Sequence, residues 1–203
     1  PKWGETGFEG KFDGYRCEGL VQDGVASLLT STGLPHYNVE HIKTQMETAA
    51  KADPDRCDNV MVDGELMHET LDFDTAGGIL RASTTPNPEA SKGFVFHAWD
   101  AMPVQDFLTK QCAETLHARK VRLAGIIAGL QSHGDRIVEV EYKVGQISDI
   151  EMFAREFVLE EGLEGIVAKR RDGLYQFKKS GVWLKWKPKF DGDVVTDMKE
   201  GDF

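Results

Sequence analysis

Apolar and polar positions first alternate with a period of two over 15–22 and again over 25–31, and Asp23-Gly24 stands between the two runs. Alternation flanking an Asp-Gly pair predicts a β-hairpin. Over 39–52 the spacing changes: Val39, Ile42, Met46 and Ala49 or Ala50 fall on one helical face, and Asp53-Pro54 stops the run. The segment 60–67 predicts a strand. The Gly, Ser, Thr, Asn and Pro-rich text of 72–92 predicts a loop. In 94–102 a strand puts Phe94, Phe96, Ala98 and Asp100 on one face and Val95, His97 and Trp99 on the other. One or two helices are expected in 104–130, then a strand over 136–146 built on Ile137, Val138, Val140, Tyr142 and Val144. Ser148, followed three residues later by Glu151, opens a helix over 148–161 that Gly162 stops. Short strands follow at 164–169, 174–177, 182–188 and 193–198. The class is α+β.

Composition narrows the field. With 203 residues, 40% of them hydrophobic, the chain can bury a core as one large domain or two small ones. It has no run of about 18 apolar residues and no opening signal peptide, which predicts no membrane partner and a cytoplasmic protein. Cys17, Cys57 and Cys112 are odd in number and lack a CxxC pair, so neither a disulfide framework nor a zinc site is expected. A net charge of −10 argues against a general DNA-coating protein, because non-specific affinity comes mainly from neutralised phosphates, and leaves room for a local basic surface.

Candidate chemistry concentrates at both ends of the chain. In Glu9-Gly10-Lys11-Phe12-Asp13-Gly14-Tyr15-Arg16, one strand continuing toward Val21 would send Lys11 and Asp13 from the same face, with Arg16 projecting there too. An amine, a carboxylate, a glycine that admits close approach and a fixed cation suit a nucleotide floor; a hairpin with a surface Lys-Asp pair is the plainer alternative. Asp63-Gly64-Glu65 reads as a site element or as a turn with two solvated acids. Trp99 reads as a base-stacking ring or as core. Near the other end Lys185 and Lys187 alternate with Leu184 and Trp186, so both amines leave one face. They frame an anion or lie on a solvated edge strand.

Taken in order, EGKFDGYR, VDGEL, AWDAMP, EGIVAK and WLKWKP resemble the successive nucleotidyltransferase motifs of ATP-dependent DNA ligases. LDFDTAGGILR and YQFKKSGVWLKWKP are similar to the short bacteriophage type. The resemblance runs from Glu9 to about Val195. It implies an ATP-grasp-like nucleotidyltransferase fold of antiparallel sheets flanked by helices, with an ATP groove between the sheets. It further implies an adenylation domain over 1–190, with 191–203 starting a linker or a missing C-terminal OB-fold domain.

By that resemblance Lys11 attacks the α-phosphate of ATP and becomes lysyl-AMP, and the AMP passes to the 5′-phosphate of nicked duplex DNA. A free lysine has a pKa near ~10.4, so a nucleophilic lysine needs cationic neighbours or a metal. Lys185, Lys187 and Mg2+, with Mn2+ as the other candidate ion, would fill that need. The resemblance also puts Glu9 beside the adenine, Arg16 near the ribose or phosphate, Glu65 on the ribose hydroxyl and Trp99 on the adenine face. Asp13 and Glu164 are implied at the metal. Lys169, Arg170, Arg171, Lys178 and Lys179 are the expected DNA contacts, and the protein is expected to act as a monomer, in the host cytoplasm if viral.

Two departures matter. Thr30-Ser31-Thr32 stands where family members carry a Ser-Arg pair, so an arginine expected at the nucleotide or nick phosphate is missing at Ser31. The OB-type domain that orients pyrophosphate is the second. The rival readings are an RNA ligase or mRNA-capping guanylyltransferase, and a module that binds ATP without chemistry.

Overall fold

Strand alternation and helix periodicity build two five-stranded sheets among residues 3–85, 87–178, 181–191 and 194–201, which the computed structural model describes. The strands are β1 (Thr6–Lys11), β2 (Tyr15–Gln22), β3 (Val25–Leu29), β4 (Val60–His68), β5 (Phe94–Pro103), β6 (Ile137–Glu139), β7 (Tyr142–Gly145), β8 (Gly165–Arg170), β9 (Trp183–Asp191) and β10 (Val194–Gly201). The chain divides into two units. One comprises Pro1–Asp13, Ala113–Ala118 and Val140–Phe203; the other comprises Gly14–Cys112 and Arg119–Glu139.

The first unit holds the sheet β10-β9-β8-β1-β7, antiparallel throughout. Its core lies on one face, where Phe8, Ile166, Ala168 and Trp186 meet Phe153, Ala154 and Phe157 from the helical stretch 150–160. The Phe8 and Phe153 rings lie 4.6 Å apart. Burying one such ring is worth roughly 1.5–3 kcal/mol, so each is a substantial part of this small core. Gly162, at φ 73°, takes the left-handed conformation that ends the helical stretch. The cap at its start is two residues earlier than expected: the Gln146 N–H donates to Asp149 at 2.8 Å, in place of a Ser148–Glu151 box. The boundary expected near residue 190 falls inside the β9–β10 hairpin, and Asp193 of the expected last strand lies outside the described residues.

The second unit holds the sheet β3-β2-β4-β5-β6. Asp23 and Gly24, both at positive φ, make the expected tight turn between β2 and β3. The helix Glu40–Ala52 buries Ile42, Gln45, Met46, Ala49 and Ala50, the predicted stripe plus one amide. Gln45 is fully used: its amide donates to Leu130 O at 3.0 Å and Gly134 O at 2.8 Å, and its oxygen accepts from Arg136 N at 3.2 Å. An unsatisfied buried amide would be costly here.

Four sequence expectations change. The loop at 72–92 contains the helices Phe73–Arg81 and Pro88–Ser91; Asp72 caps the first by accepting from Thr75 N at 3.0 Å. Gly77 sits in that helix because a Cβ there would lie 1.9 Å from the Tyr15 hydroxyl. The strand expected over 136–146 is two strands in different sheets, and β6 pairs with β5 in parallel, the one parallel pair among the described residues. Residues 174–177 form no strand; Leu174 makes an isolated bridge to Thr115. Nor do 11–16 form one strand, since β1 ends at Lys11 and β2 begins at Tyr15.

Candidate active site

In the first unit, β1, β8 and β9 turn Phe8, Ile166, Ala168, Leu184 and Trp186 toward the core. The pleat therefore sends Gly7, Glu9 and Lys11, with Gly165, Val167 and Lys169, and with Trp183, Lys185 and Lys187, to the opposite face. Register aligns them in rows: Glu9, Val167 and Lys185 in one, Gly7, Lys169 and Trp183 in another, with Lys11 opposite Gly165. The expected common face for Lys185 and Lys187 is present. A Cβ on Gly165 would lie 2.3 Å from Trp186 O, so only glycine lets β9 approach beside Lys11.

Where β1 ends and β8 begins, beside the middle of β9, the charges interlock. Lys11 Nζ is ion-paired with one oxygen of Glu164 and Lys187 Nζ with the other. The Glu164 N–H also donates to Lys11 O at 3.1 Å. Burial pushes the Glu164 carboxyl up, but the hydrogen bonds from Lys11 and Lys187 outweigh it and hold the group below its ordinary range. Two ammonium groups on one carboxylate leave net positive charge, the sign a phosphate requires.

Glu9 and Lys169 form a second pair, each side chain 2% exposed, and Lys169 Nζ lies 4.4 Å from the Trp183 ring centre. Lys169, expected as a DNA contact, has its ammonium buried on the sheet face. Arg170 is bound by Asp172 at 3.0 and 2.8 Å, and Arg171 by Glu5 and by His117 at 3.0 Å. The predicted basic cluster is thus charge-balanced within its own unit. Lys178 is exposed, and Lys179 lies outside the described residues.

In the second unit the face away from the core carries three rows. Arg16, Glu65 and His97 form one, Glu18, Asp63 and Asp100 the next, and Leu20, Met61 and Met102 the third. Arg16 donates to Asp63 through Nε at 2.5 Å and Nη2 at 2.6 Å, and its Cζ stands 5.2 Å from the Trp99 ring centre. Asp63-Gly64-Glu65 is mid-strand and not a turn: a Cβ on Gly64 would lie 2.2 Å from His97 O. A Cβ on Gly14 would lie 2.7 Å from Glu65 Cγ, so the motif glycine makes room for that carboxylate. Burial lowers the His97 pKa, and burial, then Asp63, raises that of Glu18.

The register slips at β5. Asp63 pairs with Asp100 but Gly64 with Ala98, so Trp99 is an extra residue in a bulge. Asp100 therefore leaves the face of Phe94 and Phe96, where simple alternation placed it. It accepts from Arg119, both side chains being 0% exposed. Sequence reasoning missed Arg119 and the pairing roles of Asp63 and Asp100. A signal existed: Arg119 occupies the helical stripe of Leu123, Ile126 and Leu130, where a charge needs a buried partner. The other expected residues separate by unit, with Arg16, Glu65 and Trp99 in the second and Lys11, Lys185, Lys187, Glu9 and Glu164 in the first. Asp13 is exposed beyond the end of β1.

Among the described residues no group of three or more His, Cys, Asp or Glu could hold a metal ion. A magnesium ion asks less, since one or two carboxylates, waters and phosphate oxygens complete its shell. Glu164 is partly exposed, but both its oxygens are ion-paired, so it meets that demand only where Lys11 or Lys187 releases one of them. No helix among the described residues is long and apolar enough to cross a membrane.

The family model described as ATP dependent DNA ligase domain matches residues 2–187. The chain is 27% identical over 156 residues to DNA ligase 4 of Cryptococcus neoformans var. neoformans serotype D, covering 74% of this chain and 14% of that protein. It is 24% identical over 225 residues to the DNA ligase of Enterobacteria phage T3, covering 91% of this chain and 64% of that one. The solved ATP-dependent DNA ligase from bacteriophage T7, in complex with ATP, superposes with a TM-score of 0.76 at 20% identity, over 92% of this chain and 63% of that chain. The last likeness shows the shared fold, and the chain spans less than two thirds of each of these proteins.

Proposed function

Because this chain belongs to the family of ATP-dependent DNA ligase domains, we propose that it transfers adenylate from ATP through Lys11 to the 5′-phosphate of nicked duplex DNA, and that the nick is then sealed. The observation that carries the reading is the Lys11–Glu164–Lys187 bridge across three adjacent strands. It supplies a lysine beside a second cation and a carboxylate, the set that in-line nucleotidyl transfer needs.

The neutral Lys11 amine forms a nitrogen–phosphorus bond to the α-phosphorus as the bond to the pyrophosphate oxygen breaks. The amine's proton passes to water, and pyrophosphate carries off the electron pair. Lys185 and Lys187 neutralise the phosphate oxygens. Arg16 contacts ribose or phosphate, Glu65 the ribose hydroxyl and Trp99 the adenine face. Glu9 helps form the adenine side, held in place by Lys169. Asp13 and Glu164 would hold Mg2+ or Mn2+, which supplies charge neutralisation at the phosphates when bound. DNA is gripped with the help of an OB-type domain, and the protein acts as a monomer in the cytoplasm, that of the host if viral.

The test is incubation with α-labelled ATP or GTP and magnesium, followed by denaturation. Covalent label from ATP and not GTP is expected. Bound but never covalent ATP would make the protein a binding module.

A further inference from the structure

The bulge in β5 lets Trp99 and Asp100, neighbours in sequence, both face away from the core, and it has its own fastening. The Ala101 N–H donates to Asp100 Oδ1 at 2.9 Å. Arg119 then closes on the same carboxylate, Nε to Oδ1 at 2.7 Å and Nη2 to Oδ2 at 3.0 Å. A two-pronged guanidinium fixes both the position and the plane of a carboxylate, which a lysine cannot do. Across the ladder Asp63, the residue opposite Asp100, grips Arg16 in the same two-pronged way, and Arg16 lies against the Trp99 ring.

Stability alone is a poor explanation for the Arg119–Asp100 pair. Both groups lose their water completely, and apolar residues of similar size in such a place are often as stable or more so. What apolar residues cannot do is accept the Ala101 N–H and hold one residue of slack at a defined point. Without that hold the ladder can return to even register, which would rotate Trp99 or Asp100 toward the core face.

We propose that Arg119 is a positioning residue for the nucleotide site: its grip on Asp100 holds the bulge that keeps Trp99 beside Asp100 and seated against Arg16 on the face of Glu65. The nucleotide part of this rests on the reading of Trp99 as the ring that meets adenine. Arg119 itself touches no substrate; it acts through Asp100 and Trp99.

The experiment uses protein labelled with 5-fluorotryptophan, whose four tryptophans give separate fluorine signals, with Trp99 assigned through Trp99→Phe. Two variants are compared: Arg119→Lys, which keeps the charge and loses the fork, and the apolar pair Arg119→Met with Asp100→Leu, which removes both buried charges. In the folded variants the Trp99 signal should move while those of Trp3, Trp183 and Trp186 stay in place. The ATP dissociation constant should rise about tenfold, within the range for losing one base–aromatic stack. The adenylation rate at saturating ATP should stay within about twofold, because the lost contact acts on binding. In a Trp99→Ala background, Arg119→Lys should weaken ATP no further, since both changes remove one interaction.

An unmoved Trp99 signal in Arg119→Lys overturns the proposal, as does an equal further loss of affinity in the Trp99→Ala background. Failure of both variants to fold also overturns it, by making the pair a requirement of folding. If Trp99→Ala leaves ATP affinity unchanged while Arg119→Lys still moves the Trp99 signal, the adenine reading is what fails and the aiming of Trp99 by Arg119 stands.

Discussion

Lys11 and Glu164 lie 153 residues apart in the chain and meet as an ion pair where β1 ends and β8 begins. The contact follows from strand order, since β1 and β8 are neighbours with Lys11 opposite Gly165. Glu164 shares itself between Lys11 and Lys187, so the position of the lysine that we propose as nucleophile is tied to the position of β9.

The first prediction concerns pH. The folded-state pKa of Glu164 is depressed, so its contribution to stability is present above the unfolded value and is lost as pH falls through the folded one. Wild-type protein and Glu164→Gln, compared by urea midpoint across pH, should differ most above a pH of about 4.5 and converge below it. A difference that stays constant into acid would reject the pairing.

Gly165 is predicted to accept no side chain. Since a Cβ there meets the carbonyl oxygen of Trp186 and not a movable side-chain tip, Gly165→Ala should cost about 1–3 kcal/mol and displace Lys187 from Glu164. Thermal unfolding reads the cost, and a slower adenylation per folded molecule reads the displacement. Wild-type values for both would show that β9 approaches less closely than described.

The buried Glu9–Lys169 pair predicts that Lys169→Met destabilises the protein by roughly 3–5 kcal/mol, because it strands a buried carboxylate. Adding Glu9→Gln should restore part of that loss. A surface DNA contact would act otherwise, leaving stability alone and reducing the salt slope of DNA binding by about 1. Urea unfolding and a salt titration distinguish the two.

Much of the fold was legible where one strand or helix declares itself. Leu184 and Trp186 alternating with Lys185 and Lys187 gave the right faces for β9, and Asp23-Gly24 gave the β2–β3 turn. What local patterning could not carry was the partner. Phe12, Asp13 and Gly14 read as more of the same strand, yet the chain leaves one sheet for the other there, because β1 pairs with β8 and β2 with β4. Likewise the face of Asp100 depended on a slip of register against β4, which alternation along β5 alone cannot reveal. Lys169 looked like a surface cation beside Arg170 and Arg171 until strand register placed Glu9 one row away.

If Trp99 meets the adenine, Trp99→Ala should weaken ATP binding by roughly 1–3 kcal/mol with a smaller effect on the fold. Calorimetric titration with ATP and thermal unfolding of the free protein separate the outcomes. A steep fall in melting temperature with unchanged affinity per folded molecule would make Trp99 a core residue.

The central claim is that Lys11 forms the bond to AMP. Arginine at that position keeps a cation beside Glu164 yet stays protonated, so it cannot act as the nucleophile. Intact-mass spectrometry after incubation with ATP and magnesium, followed by mapping of the modified peptide, tests this directly. We predict an acid-labile AMP adduct on Lys11 in the wild-type protein and none in a folded Lys11→Arg variant; an undiminished adduct in that variant would contradict the account.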